Sequence, residues 1–399
     1  MEILINHSLF DEGYFGLKLY STKAETNMRH VFGLKINKKR YIKMQKKSDV
    51  EIKKLFEIVK GLMFWNHPVQ YDLLKQFFNL TERTTYLNYV DFSNNELVTL
   101  ILTLKEFIDM FPLSIYIETT NNCNLNCIMC PQKKSNRKKG KMSNNLFYKI
   151  IDEIAAKQPA VAVSPFFFGE PLMDNTIFDK LSYCKKMGLS YIKLSTNGSL
   201  LFKNDNYKKL IDTNLDSLII SFDAITRDKY ESIRRGSDFS FFIRGVDSLI
   251  NYKEKISSNI KIVGQFINLS NNQTEKKIFR NYIKTRKLEP QFVSLHHWGK
   301  PLNYEATKLR YPCNNPLYSA VILHNGDLTT CCMDYEGTCT FGNLNHNSLE
   351  SLWKTKHKLL RDAQLKGEYS LYPVCSNCYD WVNFGYNKYA EILTKNASA

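Results

Sequence analysis

Between residues 114 and 297 the chain alternates apolar runs with helical segments, and this alternation constrains the fold more than any other feature. The runs are SIYIETT (114–120), AVAVSPFFF (160–168), YIKLST (191–196), SLIISF (217–222), KIVGQFIN (261–268) and QFVSLHH (291–297). Repeated strand–helix pairs predict a parallel sheet with helices outside, curled into a partial barrel. The first intervening helix should bury Phe147, Ile150, Ile151 and Ile154 on one face. The expected fold class is therefore α/β: a partial (β/α)6 TIM-like barrel over residues 111–305. Functional residues of such sheets gather at the C-terminal strand ends, where several polar motifs fall here.

Two smaller units flank the barrel. Residues 1–110 contain no cysteine and read as a mainly helical module. VFGLKINKKRYIKM (31–44) has the pattern of a strand pair turning near Asn37-Lys38. Capping-box patterns at Ser48/Glu51 and Ser93/Glu96 open helices, and a further helix is expected from about Gln70 to Leu80. Hairpin plus three helices is the element order of a winged-helix module for peptide recognition; a helical cap over the barrel is the other reading. Residues 306–399 have shorter elements and read as a small α+β unit. LYSAVILHNGDLTTCC predicts a hairpin turning at Asn325-Gly326, and SLESLWKTKHKLLRDAQLKG predicts one helix.

Composition narrows the class. Hydrophobic residues make up 43% of the 399 residues and charged residues 24%, as in ordinary globular proteins. No apolar run approaches the roughly 18 residues that span a bilayer. The opening MEILINHSLFDEG lacks a basic n-region and a cleavage site, so a cytoplasmic location without a membrane partner is expected. The net charge of +16 is compatible with an acidic partner, but the lysines are spread along the chain as on a solvated surface. Nucleic acid is therefore disfavoured.

Nine of the ten cysteines fall at 123–130 and 313–378. In a long chain this favours metal binding over disulfides. Cys123, Cys127 and Cys130 form Cys-x3-Cys-x2-Cys just after a predicted strand. Three thiolates in one loop can hold three irons of a [4Fe–4S] cluster and leave a fourth iron open, whereas structural zinc takes four ligands. Cys184, alone in a helical pattern, reads as core.

This motif resembles the signature of the radical S-adenosylmethionine (SAM) superfamily, whose open iron chelates SAM. The resemblance extends to FFFGEPL (166–172), STNGSLL (195–201), SFDAITRDKYESIRRG (221–236) and INLSNNQTE (267–275). It implies SAM contacts from Glu170, Ser195, Asn197, Ser221, Asp223, Arg234 and Asn272. Lone Arg234 and Asn272 also suit a surface pair and a loop cap. Cys313, Cys331, Cys332, Cys375 and Cys378, with FGNLNHNSLESLWKT (341–355), resemble the SPASM/twitch subdomain. That implies one auxiliary [4Fe–4S] cluster on Cys313, Cys331, Cys375 and Cys378, with Cys332 as an alternative to Cys331. Cys332 and Cys339 are candidate hydrogen donors to a substrate radical. His296, His297 and Trp298 would stand at the barrel mouth, for substrate or for packing.

The resemblance implies cleavage of SAM to a 5′-deoxyadenosyl radical that abstracts hydrogen from substrate. It points to modification of a ribosomally made peptide by crosslinking, oxidation or epimerisation, or to dehydrogenation of an amino sugar or small alcohol. Flavodoxin or ferredoxin would supply electrons. A zinc-stabilised nucleic-acid-binding protein is the rival from another class.

Overall fold

A computed structural model describes the backbone of residues 2–6, 14–22 and 29–37, and residues 109–298, 312–376 and 378–383. The N-terminal strands β1 (Glu2–Asn6), β2 (Tyr14–Thr22) and β3 (Arg29–Asn37) form an antiparallel sheet of order β1-β2-β3. The expected strand pair over 31–44 is thus resolved in its first half: β3 runs to Asn37 and pairs along its length with β2. Its second half, and nearly all of the helical stretch expected over 48–110, lie outside the described residues; Asp109 and Met110 are helical.

A second sheet has nine strands. Its parallel part is β4 (Ser114–Ile117), β5 (Ala162–Ser164), β6 (Tyr191–Thr196), β7 (Ser217–Ser221), β8 (Lys261–Asn268) and β9 (Glu289–Ser294), neighbours in sequence order. Helices intervene: α1 (Asn144–Lys157), α2 (Ile177–Lys186), α3 (Asn206–Asp212), α4 (Arg227–Ile233), α5 (Phe239–Lys255) and α6 (Glu275–Thr285). Strand alternation sets the layering, because successive side chains point to opposite faces. Ile115, Ile117, Val163, Ile192, Leu194, Leu218, Ile220 and Phe266 join the helices in one apolar core. The α1 face of Phe147, Ile150, Ile151 and Ile154 is buried in it, and Ser143 caps that helix by accepting from Leu146 N. The opposite strand face turns into the barrel and carries Tyr116, Ser164, Lys193, Ser195 and Gln265.

The C-terminal segment extends this sheet. After α7 (Asn314–Tyr318), β10 (Ser319–Ile322) pairs parallel with β4, in register Ser319↔Ser114 to Ile322↔Ile117. Strands β11 (Asp327–Thr329) and β12 (Thr340–Asn343) follow antiparallel. Gly326 turns the β10–β11 hairpin at φ +95°, a conformation glycine adopts without strain. The single helix expected over 348–367 is instead two, α8 (Leu349–Lys354) and α9 (Lys356–Lys366), broken at Thr355. The break lets Arg361 donate to the Trp353 carbonyl at 3.0 Å and lie over its indole, while bonding Asp109. No helix among the described residues is long and apolar enough to cross a membrane.

Candidate functional site

Because the strands run parallel, the segments after β4 to β8 gather at one end of the sheet. The loop after β4 carries Cys123, Cys127 and Cys130, all partly exposed. It is braced from several sides. Asn126 N and Ile128 N donate to the carbonyls of Arg235 and Ile233 at 2.8 and 3.0 Å, and Trp298 Nε1 donates to Met129 O at 3.1 Å. Gln132 Nε2 donates to Asn121 O at 2.7 Å. Burial raises the pKa of all three thiols, that of Cys130 to about 11, and neighbouring negative charge pushes each further up. As free groups they stay protonated; a bound cationic cluster would displace those protons.

Glu170 follows β5 and is buried. Its Oε1 accepts from Thr196 Oγ1 (2.6 Å) and Leu172 N (3.1 Å), and its Oε2 from Asn197 N (2.7 Å). Burial pushes this carboxyl up in spite of the three donors. The preceding residue must be glycine: a Cβ on Gly169 would sit 2.3 Å from Thr120 O and 2.6 Å from Asn122 O. Asn197 Nδ2 reaches Asn124 Oδ1 at 3.1 Å and lies 3.9 Å from Cys123 Sγ. Asp223 is buried at φ +63°; its carboxylate pairs with Arg234 Nη2 at 2.5 Å and accepts from Ile267 N at 2.7 Å. Arg234 Nη1 lies 3.9 Å from Cys127 Sγ, and Arg234 Nε is buried without a partner among the described residues. Asn272 uses its whole amide on backbone, donating to Asp223 O and Ile267 O and accepting from Leu269 N, each at 2.9 Å. Ser195 and Ser221 lie on the inner face, each partly exposed.

The distal cysteines form a second pocket. Cys313 and Cys331 pack with Met333 and Trp381, and Cys332 and Cys378 border them. Burial raises the Cys331 thiol strongly, and its ionic neighbours are Cys332, Cys375, Cys313 and Cys378. Cys332 differs in accepting from Asn315 Nδ2 at 2.8 Å. Cys339 has Asp334 and Thr338 as neighbours instead. Cys184 is buried in α2. His297 N donates to the buried Asp380 at 2.9 Å, and Trp298 packs on Phe168 and Tyr335. These strand-end residues therefore tie the barrel to both cysteine segments.

Sequence reasoning missed the group that joins the two regions. Glu118, at the end of β4, is buried and receives Arg137 through both oxygens (2.5 and 2.7 Å) and His324 through N and Nδ1 (3.0 Å each). Burial alone would raise its carboxyl, but these bonds hold it below the ordinary value. Arg137 Nε also donates to Tyr335 O at 2.6 Å. An acidic residue closing an apolar strand was the available signal.

Among the described residues no three His, Cys, Asp or Glu side chains converge closely enough to share one metal ion. A [4Fe–4S] cluster makes a different demand, because each thiolate binds its own iron. Three thiols on one braced loop, beside a buried guanidinium with an unused donor, fit a cluster with a polar ligand next to it.

The model of the radical SAM superfamily matches residues 117–273, and that of an iron–sulfur cluster-binding domain, SPASM, matches residues 313–379. The chain belongs to the radical SAM superfamily. Its cofactors are a [4Fe–4S] cluster and SAM, with further iron–sulfur binding in the SPASM domain. The chain is similar to a 7,8-dihydro-6-hydroxymethylpterin dimethyltransferase of Methanocaldococcus jannaschii, at 31% identity over 37% of this chain and 27% of that protein. It thus spans well under two thirds of that relative. It is also similar to a tungsten-containing aldehyde ferredoxin oxidoreductase cofactor-modifying protein of Pyrococcus furiosus, at 24% identity over 66% of this chain and 86% of that protein. Among solved structures, native anSMEcpe with bound AdoMet shares the fold, with a TM-score of 0.52 and 15% identity, over 71% of this chain and 100% of that one.

Proposed function

We propose that this radical SAM enzyme modifies a ribosomally made peptide by crosslinking, oxidation or epimerisation. In this reading residues 1–110 recognise the peptide, 111–305 form the reaction barrel and 306–399 hold the auxiliary cluster. Cys123, Cys127 and Cys130 hold the first cluster; Glu170, Ser195, Asn197, Ser221, Asp223, Arg234 and Asn272 shape the SAM site. Glu170 and Asn272 act mainly by fixing the backbone at three strand ends, and the unused Arg234 Nε offers a donor to a carboxylate. Cys313, Cys331, Cys375 and Cys378 hold the auxiliary cluster. Cys331 is preferred over Cys332 because the other three ligands surround it, whereas Cys332 accepts from Asn315. When bound, the reduced cluster and SAM supply a carbon-centred radical able to take hydrogen from an unreactive C–H bond. The wall of Phe168, Tyr335 and Trp298 shields that space from water. Flavodoxin or ferredoxin is the proposed electron donor.

The observation that supports a peptide is β3. One edge of Arg29–Asn37 pairs with β2, and the other pairs with no described residue. A nine-residue edge with no partner among the described residues suits strand addition, and the basic KKRYIKMQKK that follows in the sequence suits an acidic peptide. The test uses the full chain, with clusters assembled anaerobically, and an acidic peptide encoded beside its gene. We expect a peptide mass change that requires SAM and reductant. Adjacent N–H groups of a strand point to opposite edges, so one of Leu34→Pro and Lys35→Pro removes a donor from the edge that faces away from β2. That variant should weaken peptide binding about tenfold, since proline cannot donate to an added strand, and leave peptide-free SAM cleavage unchanged. Turnover of an amino sugar or small alcohol, with no peptide product, would overturn the reading.

A further inference from the structure

The inner face of the barrel holds a lysine with no ionic partner among the described residues. Lys193 lies in β6 between Ile192 and Leu194, whose side chains join the outer apolar core. It therefore points inward, two residues before Ser195 and so about 7 Å below it along the strand. Its ammonium sits 5.6 Å from the centre of the Tyr116 ring, and among the described residues no carboxylate approaches it. The surrounding protein strips it of water and pushes its pKa down to about 8. The residue as a whole is half-buried rather than sealed.

A second group stands next to it. Tyr116 is in register with Ser164, and Val163 with Ile192, which brings Ser164 opposite Lys193. The Ser164 hydroxyl is buried and has no hydrogen-bond partner among the described residues. The Tyr116 ring, held edge-on by Phe166 at 5.8 Å, forms the wall. Burying an ammonium and a hydroxyl unpaired is costly, and a cation–π contact offsets only part of that cost. Apolar side chains would fill the same space without it. An unmet cation beside an unmet hydroxyl is complementary to an anion.

We propose that Lys193 and Ser164, against Tyr116, form a substrate subsite that takes one carboxylate group. One ammonium neutralises one negative charge, and Ser164 can donate to the second oxygen; a phosphate dianion would leave a charge unmatched. The inference rests on the barrel interior being the substrate chamber, and it narrows the peptide reading to a substrate that inserts an acidic side chain or a C-terminal carboxylate.

The test needs neither peptide nor turnover. The cluster-loaded full chain is acylated at pH 8 with an amine-selective reagent, and labelling of each lysine is followed by mass spectrometry. Exposed Lys255 serves as the control. N-acetyl-glutamate amide should slow labelling of Lys193 about fivefold near saturation while leaving Lys255 unchanged, as mass action requires of a bound ligand. N-acetyl-glutamine amide should not. Equal labelling with the two probes overturns the proposal, and so does protection by inorganic phosphate but not by the carboxylate. Ser164→Ala, which leaves the ammonium in place, should raise the concentration needed for protection; no change would remove Ser164 from the subsite. Protection without any peptide product would sink the peptide reading and keep the subsite. A modified peptide without protection would do the reverse.

Discussion

The two cysteine regions meet similar chemistry with different architecture. The first takes three thiols from one eight-residue stretch, leaves them partly exposed and surrounds them with Asn124, Asn197 and Arg234. The second draws Cys313, Cys331 and Cys375 from three distant segments and buries all three, Cys313 and Cys331 against Met333 and Trp381 and Cys375 in the main apolar core. A local loop with one polar, open side suits a cluster that exchanges ligands with a substrate. A pocket closed by apolar side chains suits a cluster ligated only by protein. The difference teaches that reactivity here follows from what is left uncovered, more than from the number of thiols.

That contrast can be broken by substitution, and the largest effect falls on iron. The wild-type chain should carry about eight irons, and Cys123→Ala/Cys127→Ala/Cys130→Ala about four, with SAM cleavage abolished. Iron analysis and visible absorption measure both. Cys331→Ala should lose the other four while Cys332→Ala keeps them; the opposite result would exchange the two residues in the ligand set.

A smaller effect tests whether the regions act as one body. Glu118 links the first loop, through Arg137, to the β10–β11 hairpin, through His324. Glu118→Gln leaves the partly buried Arg137 guanidinium without its carboxylate and should cost about 3 kcal/mol in denaturant unfolding, the low end for a buried pair. Because the folded carboxyl is held below its ordinary value, its contribution is present above the unfolded value and is lost as pH falls through the folded one. The gap between wild type and variant should therefore close in acid. A gap that persists at low pH would assign the cost to shape rather than charge.

The smallest effect has the opposite sign. Lys193→Met removes an ammonium whose folded value, about 8, lies below its ordinary 10.5. Below pH 8 both folded and unfolded wild type are protonated, and the full penalty applies; it fades as pH rises from 8 towards 10.5. The variant should gain about 2 kcal/mol at pH 7, discounted for partial solvent contact, and that gain should shrink in alkali. Thermal unfolding at pH 7 and pH 10 checks it. A destabilised variant would show that the lysine stem packs more than its charge costs.

The barrel was legible because its signals are local. YIKLST and KIVGQFIN have the bounds of β6 and β8, and the α1 face follows a 3.6-residue period. AVAVSPFFF was not all strand: β5 stops at Ser164 because Pro165 has no N–H for the ladder, and the phenylalanines beyond it become wall. The break at Thr355 and the Glu118–Arg137–His324 hub escaped notice because their partners lie far away in sequence.

The sequence by itself determined the repeating strand–helix order, the three-thiol loop and the motif at each strand end. These rest on short-range spacing, which a chain carries wherever it folds. Only the tertiary structure decided that β10 continues the barrel sheet beside β4, that Cys331 lies among the other distal thiols, and that Ser164 stands opposite Lys193 with its hydroxyl unmet among the described residues. Such pairings depend on register between distant strands, and register is a property of the packed sheet.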